Sequence, residues 1–255
     1  MKTAIVTGAA GAIGKGVALE LCRHGTAVFI SDLRPDAVTA TVKELSAHGR
    51  CAGKAADVTD ETQVRECVES ALLALGGRVD ILVNVAGIVG QGLVEEITVE
   101  DWDRMFAVNC RGTFLFCKHV VPVMKAQKSG KIVNFSSKSG KTGSALMSHY
   151  SAAKAAIIGF TQALAYELAD YHINVNCVCP GITENTGVWS AVSAGYIQNL
   201  GKSREEVVKQ FTAKIPLKRL ATVADIAAVT AFLCSEGADY MTGQAINITG
   251  GREMH

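Results

Sequence analysis

Thr7-Gly8-Ala9-Ala10-Gly11-Ala12-Ile13-Gly14 follows a short β-branched run at residues 4–7 and opens a helical pattern at 13–22. A turn of this kind places glycine where backbone must approach a pyrophosphate, and the helix behind it offers free N–H groups and a partial positive charge. A glycine-rich turn alone is weak evidence. It gains weight here because it joins a strand to a helix and is answered by Asp32 at the end of the second strand-like run.

The same alternation continues to the end of the chain. Strand-like runs at 4–7, 27–31, 51–56, 81–84, 131–135, 173–178 and 245–248 are separated by helical patterns near 13–22, 37–47, 61–75, 99–124, 151–169 and 223–234. Strand and helix in strict alternation predict an α/β fold: a seven-stranded parallel sheet, doubly wound, with right-handed crossovers placing helices on both faces. With 255 residues, 49% of them apolar, the chain can bury a large core, and no linker divides it. The least regular stretch, 181–214, contains Thr183, Asn185, Trp189 and Tyr196 before a polar helical run at 203–214. Near a sheet's C-terminal edge such an insertion reads as a substrate lid, with a plain surface loop as the alternative.

Composition narrows the partners. Lys plus Arg number 25 against 24 Asp plus Glu, which leaves no electrostatic footprint for nucleic acid or an anionic membrane and points to a small-molecule partner. No apolar run reaches the roughly 18–20 residues that span a bilayer, and strand-like sequence starts right after Lys2, so a cytoplasmic protein is expected. The eight cysteines show no metal-ligand spacing, and no metal site is expected. Cys177 and Cys179 share a strand face about 6.5 Å apart with parallel side chains, which disfavours a bridge.

Asp32 stands where a carboxylate accepts hydrogen bonds from adenosine ribose hydroxyls and repels an additional phosphate, so NAD is expected rather than NADP. Arg34 pulls the other way, and a turn-capping carboxylate is the plain alternative for Asp32. Tyr150-Ser151-Ala152-Ala153-Lys154 places a phenol and an ammonium one helical turn apart on one face. A free phenol has a pKa of about 10, too high for a good base at neutral pH, but a nearby cation favours the phenolate. A bare Tyr-x-x-x-Lys is more often a surface pair.

Order and spacing make the pair specific. Asn84-Val85-Ala86-Gly87 follows the fourth strand, Asn109 lies in the next helix, Ser137 stands before Tyr150, and Pro180-Gly181 follow the sixth strand. With the glycine-rich turn and Asp32, this set resembles the short-chain dehydrogenase/reductase family over essentially the whole chain. The resemblance implies one Rossmann-fold domain over residues 1–255, with a lid insertion at about 182–214 and a homotetrameric assembly. It implies that Ser137 hydrogen-bonds the substrate oxygen, Tyr150 exchanges its proton, and Lys154 binds the nicotinamide ribose while depressing the tyrosine pKa. Asn109 would hold a water leading from Lys154 to solvent. Gly8, Gly11, Ala12, Ile13 and Gly14 would cradle the diphosphate, and Asp57 and Val58 would sit beside the adenine. Asn84, Ala86 and Gly87 would line the cofactor and brace the sheet, and Pro180, Gly181 and Ile182 would meet the carboxamide end. Taken singly, Ser137 also suits a turn cap, Asn109 a buried helix amide and Lys154 a solvated charge.

Three positions depart from the family pattern: Ala12 replaces a glycine, Val85 a frequent asparagine, and Asn185 a threonine that commonly contacts the carboxamide, with Thr183 or Thr186 as substitutes. A narrower resemblance lies in Ser137-Lys138-Ser139-Gly140-Lys141-Thr142-Gly143-Ser144, in Pro216-Leu217-Lys218-Arg219 and in the ending from Thr242 to Gly251. These stretches, with Leu200-Gly201-Lys202, are similar to polyol dehydrogenases of the sorbitol-6-phosphate 2-dehydrogenase kind. Acetoin reductases share the ending from Tyr240 to Gln244. Lys138, Lys141 and His149 flank the catalytic pair, either facing a phosphate or hydroxyls on a polyol or simply facing solvent. Ala145-Leu146-Met147 with Trp189 would equally suit a hydroxysteroid. From a different class, a non-catalytic NAD-binding sensor or scaffold stays open.

Overall fold

The computed structural model describes residues 1–187, 189, 190, 193 and 203–255. Its strands are β1 (Thr3–Thr7), β2 (Ala27–Asp32), β3 (Cys51–Ala55), β4 (Ile81–Asn84), β5 (Gly130–Phe135), β6 (Ile173–Pro180) and β7 (Ala245–Ile248). All pair in parallel in the order β3-β2-β1-β4-β5-β6-β7. The expected runs differ from these strands by no more than two residues at any end.

The helices are α1 (Ala12–Arg23), α2 (Pro35–Leu45), α3 (Glu61–Leu75), α4 (Val99–Phe106), α5 (Gly112–Gln127), α6 (Lys138–Thr142), α7 (Ser148–Leu168), α8 (Arg204–Ala213) and α9 (Val223–Leu233). Alternation along each strand sorts the core into two layers. Ile5, Phe29, Leu82, Ile132 and Val175 pack against α3, α5 and α7. Val6, Val28, Val83, Val133 and Val178 point the other way, against α1, α2 and α9.

One helical expectation is corrected. The pattern at 99–124 is not one helix: a π-helical turn, Ala107–Arg111, separates α4 from α5. The extra residue of that turn re-aims Asn109 inward, and Gly112 follows because a Cβ there would lie 2.7 Å from Val58 Cγ2. The stretch after Ser137 forms α6, capped by the Ser137 side chain. The eight cysteines are free thiols. Among the described residues no helix is long and apolar enough to cross a membrane.

The sheet order reverses between β1 and β4, whose ends meet at the Thr7–Asn84 register pair. That reversal opens a crevice at the C-terminal edge, where α/β sheets receive ligands. A buried polar chain braces the same edge. Asn84 Nδ2 donates to Asn134 Oδ1 at 2.9 Å, and Asn134 Nδ2 donates to Thr161 Oγ1 at 3.0 Å, which ties α7 to the sheet. Asn134→Ala leaves Asn84 and Thr161 without these partners in the core, and urea denaturation is expected to show a loss of about 2–4 kcal/mol. A loss under about 1 kcal/mol would contradict the bracing role.

Candidate active site

The glycine-rich turn is closed by contacts that only glycine permits. Gly8 has φ +63°, and a Cβ there would lie 2.7 Å from the backbone of Ala86, whose N–H donates to Thr7 Oγ1 at 3.1 Å. A Cβ at Gly14 would lie 2.3 Å from the Gly8 carbonyl oxygen. Helix α1 begins after Gly11 with no side-chain cap and no acidic residue in its first turn, so its positive end is left for an anion. Ala12 sits half-buried at the first helical position, where its methyl is accommodated, and Ile13 lines the cavity beyond. This turn fits a dinucleotide's diphosphate.

Asp32 ends β2 and serves the turn itself: Oδ2 accepts from Ala10 N–H at 2.9 Å and Oδ1 from Leu33 N–H at 2.8 Å. The turn-capping reading therefore holds, and each oxygen keeps a lone pair for ribose hydroxyls. Arg34 is exposed and makes no ion pair among the described residues. Asp57 Oδ1 accepts from Thr59 N and Oγ1, both at 2.8 Å. The Val58 side chain is a core group against Gly112.

The chemical end lies where β5, α6 and α7 meet. Tyr150 and Lys154 sit on the first turns of α7, both buried. Lys154 Nζ donates to Phe135 O at 2.9 Å and lies 5.8 Å from the Tyr150 ring centroid. The backbone at Lys154 is clamped from the other side. Ser136 Oγ donates to Lys154 O at 2.7 Å, and a Cβ at Gly140 would lie 2.8 Å from that carbonyl. Ser136 went unread in the sequence, where only its neighbour Ser137 carried a motif. Ser137 accepts from Ser139 N–H at 3.1 Å as the α6 cap, so the turn-cap reading holds, and it lines the same cavity as Tyr150.

Burial pushes the Tyr150 phenol above its ordinary pKa, opposed by the Ser137 hydrogen bond. Burial likewise lowers Lys154, to about 8. In the chain by itself desolvation governs both groups, and Ser137 supplies the opposing pull on the tyrosine. Asn109 donates to Ile88 O and Met105 O, both at 3.0 Å, while its Oδ1 is buried without a partner among the described residues. A Cβ at Gly87 would lie 2.6 Å from that oxygen and 3.2 Å from Lys154 Nζ. Gly87 thereby keeps open a small space between an unpaired acceptor and an ammonium, suited to a water.

One cavity joins Ser137, Tyr150, Lys154 and Asn109 to Gly181 and Ile182. Pro180 ends β6, and the Ile182 carbonyl accepts from Ala221 N–H at 3.0 Å. Thr183 and Thr186 are buried and line this cavity, whereas Asn185 is exposed at φ +56° outside it. Asparagine therefore serves a left-handed backbone position, and the threonines beside it face the site. Lys138 lines the cavity, and Lys141 does not. His149 does not line it either. It is buried against Gly90, where a Cβ would meet its Nε2 at 2.6 Å, and burial lowers its pKa. Trp189 reaches the cavity from within a small core of its own, with Val207, Ile215 and Leu220. Helix α8 falls on the expected polar helical run and starts at a capping box of Ser203 and Glu206. Tyr196 and Leu200-Gly201-Lys202 lie outside the described residues.

A buried lysine whose pKa falls from 10.5 to about 8 penalises folding below pH 8, and the penalty fades as pH rises from 8 towards 10.5. Lys154→Met removes a cost of about 3 kcal/mol at pH 7 and loses the hydrogen bond to Phe135, worth about 1. In urea at pH 7, without cofactor, the variant is expected to be about 2 kcal/mol more stable than the parent, with the advantage vanishing at about pH 10 and reversing slightly above it. An equal difference at both pH values would contradict the buried charge.

Comparison with known proteins agrees with this geometry. The family model described as Enoyl-(Acyl carrier protein) reductase matches residues 8–253. Sorbitol dehydrogenase of Cereibacter sphaeroides is 37% identical over 99% of this chain and 98% of its own length. A crystal structure of a variant of actinorhodin polyketide ketoreductase with NADPH superposes with TM-score 0.96 at 34% identity, covering 100% of this chain and 98% of that one. NAD+-bound xylitol dehydrogenase gives TM-score 0.93 at 31% identity, covering 98% of each chain. With its parallel sheet, diphosphate turn and Ser137–Tyr150–Lys154 cluster, this chain belongs to the short-chain dehydrogenase/reductase family of oxidoreductases.

Proposed function

We propose that this protein is an NAD-dependent dehydrogenase that reversibly oxidises a secondary alcohol of a sugar alcohol, or of a sugar-alcohol phosphate, to the ketone. The observation that carries this reading is the cavity that brings Ser137, Tyr150 and Lys154 together and carries Ser139, Ser144 and Lys138 on the same lining. The likeness to a sorbitol and a xylitol dehydrogenase supports the polyol as substrate class.

When bound, a nicotinamide supplies the hydride acceptor. The protein's residues handle the proton and the orientation. The Ser137 hydroxyl meets the substrate oxygen and orients it towards Tyr150, which accepts the proton of the alcohol as it becomes a carbonyl. Burial disfavours the phenolate that must do this, so Tyr150 depends on its neighbours: the Ser137 hydrogen bond and the ammonium of Lys154 on the next turn. Lys154, with its pKa brought near neutrality, is suited to pass a proton towards the unpaired Asn109 Oδ1. The Asp32 carboxylate disfavours a phosphate on the adenosine ribose, which supports NAD. The assembly we propose is a homotetramer, and the exposed Ala155, Ala156, Gly159 and Tyr166 on α7 offer a surface for close helix approach.

A substrate panel tests the reading: sorbitol, galactitol, sorbitol 6-phosphate, 2,3-butanediol, a hydroxysteroid and an acetoacetyl thioester, each assayed with both cofactors. Polyols are expected to turn over with NAD. Turnover of the thioester alone with NADPH, or of the steroid alone, would overturn the proposal, and tight NAD binding without any turnover would favour a sensor. Asp32→Asn is expected to lower the NAD-over-NADP ratio of kcat/KM about tenfold by removing one repulsion. An unchanged ratio would leave Asp32 as a turn brace only.

A further inference from the structure

The wall of the cavity beside Ser137 is built partly by the C-terminal tail. Gly250 and Gly251, at φ +64° and +88°, turn the chain back after β7. Thr249 Oγ1 donates to Glu253 O and accepts from Glu253 N–H, both at 3.2 Å, and Asn247 Nδ2 donates to Glu253 O at 3.2 Å. The stretch Pro216-Leu217 braces this turn: Leu217 N–H donates to Gly250 O at 3.2 Å, and a Cβ on Gly251 would lie 3.0 Å from Pro216 Cγ. The tail is thus held in place by several independent contacts.

It delivers Arg252 to the cavity beside Lys138, and both line it together with Ser137 and Tyr150. Behind them Glu253 Oε1 lies 3.4 Å from Lys138 Nζ and 3.8 Å from Arg252 Nε, with Lys138 and Glu253 side chains 17% exposed and Arg252 21%. Lys138 also donates to Gly143 O at 3.0 Å. The Arg252 guanidinium packs over the Phe211 ring, 5.4 Å from its centroid, and its one side-chain polar contact among the described residues is the 3.8 Å approach to Glu253. Two half-desolvated cations share one carboxylate, which leaves one positive charge and an open guanidinium fork facing the substrate space. A planar fork of this kind pairs with anionic oxygens two at a time, and a neutral hydroxyl uses it poorly.

We propose that Arg252 and Lys138 form an anion subsite that takes a phosphate or carboxylate at the end of the polyol remote from the reacting carbon, with Glu253 as the positioning residue that holds both cations. This rests on the polyol reading above and sharpens it: the preferred substrates are anionic polyols.

Steady-state kinetics on sorbitol, sorbitol 6-phosphate and gluconate, with the parent protein and with Arg252→Ala and Lys138→Ala, separate the possibilities. The parent is expected to have a lower KM for an anionic substrate than for sorbitol, and the preferred anion tells phosphate from carboxylate. Arg252→Ala is expected to lower the ratio of anionic to neutral kcat/KM at least tenfold, chiefly through KM, as loss of a charged hydrogen-bonded pair does. Added salt should weaken turnover of the anionic substrate more than that of sorbitol. A ratio unchanged in both variants would overturn the subsite. Calorimetric titration of inorganic phosphate into the NAD-saturated protein reads the subsite without turnover. Binding weakened at least tenfold in Arg252→Ala supports it even if every polyol fails as substrate, which would sink the polyol reading alone. No binding to the parent, or equal binding to the variant, overturns it.

Discussion

The Lys154 ammonium is buried at the C-terminal edge of the sheet with one protein acceptor, Phe135 O at 2.9 Å. An ion in that position is costly, and the cost is borne because so much else is arranged around it. The close approach of α6 at Gly140, the Ser136 clamp on the Lys154 carbonyl and the Asn84–Asn134–Thr161 chain all fix α7 against β5. With α7 fixed, Tyr150 has no choice of position. Burial then pushes the phenol up and the ammonium down to about 8, so each group responds strongly to what lies beside it. Ser137, Asn109 and the space kept open by Gly87 are their immediate neighbours.

The architecture was legible because strand and helix periods differ and every strand is separated from the next by a helix. Even short runs such as 81–84 are flanked by turn residues that fix their ends. The split between α4 and α5 was not legible: one extra residue in a π-helical turn leaves the apolar spacing almost unchanged, although it aims Asn109 at Lys154. The cofactor turn was readable since glycines at 8 and 14 answer backbone contacts that no side chain fits. His149 was misplaced because adjacency to Tyr150 in a helix rotates the side chain by roughly 100°, towards Gly90 and away from the cavity. Arg252 carried no motif at all. Its place depends on a chain reversal at Gly250-Gly251 and on contacts with residues more than thirty positions earlier, which spacing along the sequence does not reveal.

The two ends of the cavity follow different logic. At the reacting end the groups are buried and few, as befits a site where a small change in charge must be felt. At the other end the charges keep some contact with solvent and are shared among Lys138, Arg252 and Glu253, a setting suited to selecting what enters more than to driving chemistry. The stretches at 216–219 and 242–251 belong together physically, since the first braces the turn made by the second.

The most direct measurement is a comparison of turnover and cofactor affinity in Tyr150→Phe. The phenyl ring keeps the packing against Met105, Met147 and Ala153 and loses only the oxygen that exchanges the proton. Turnover should fall by about a thousandfold or more, with NAD affinity measured by fluorescence titration within about threefold of the parent. A variant that keeps turnover close to the parent's would show that the proton moves through another group, and the account of the Tyr150–Lys154 pair would be wrong.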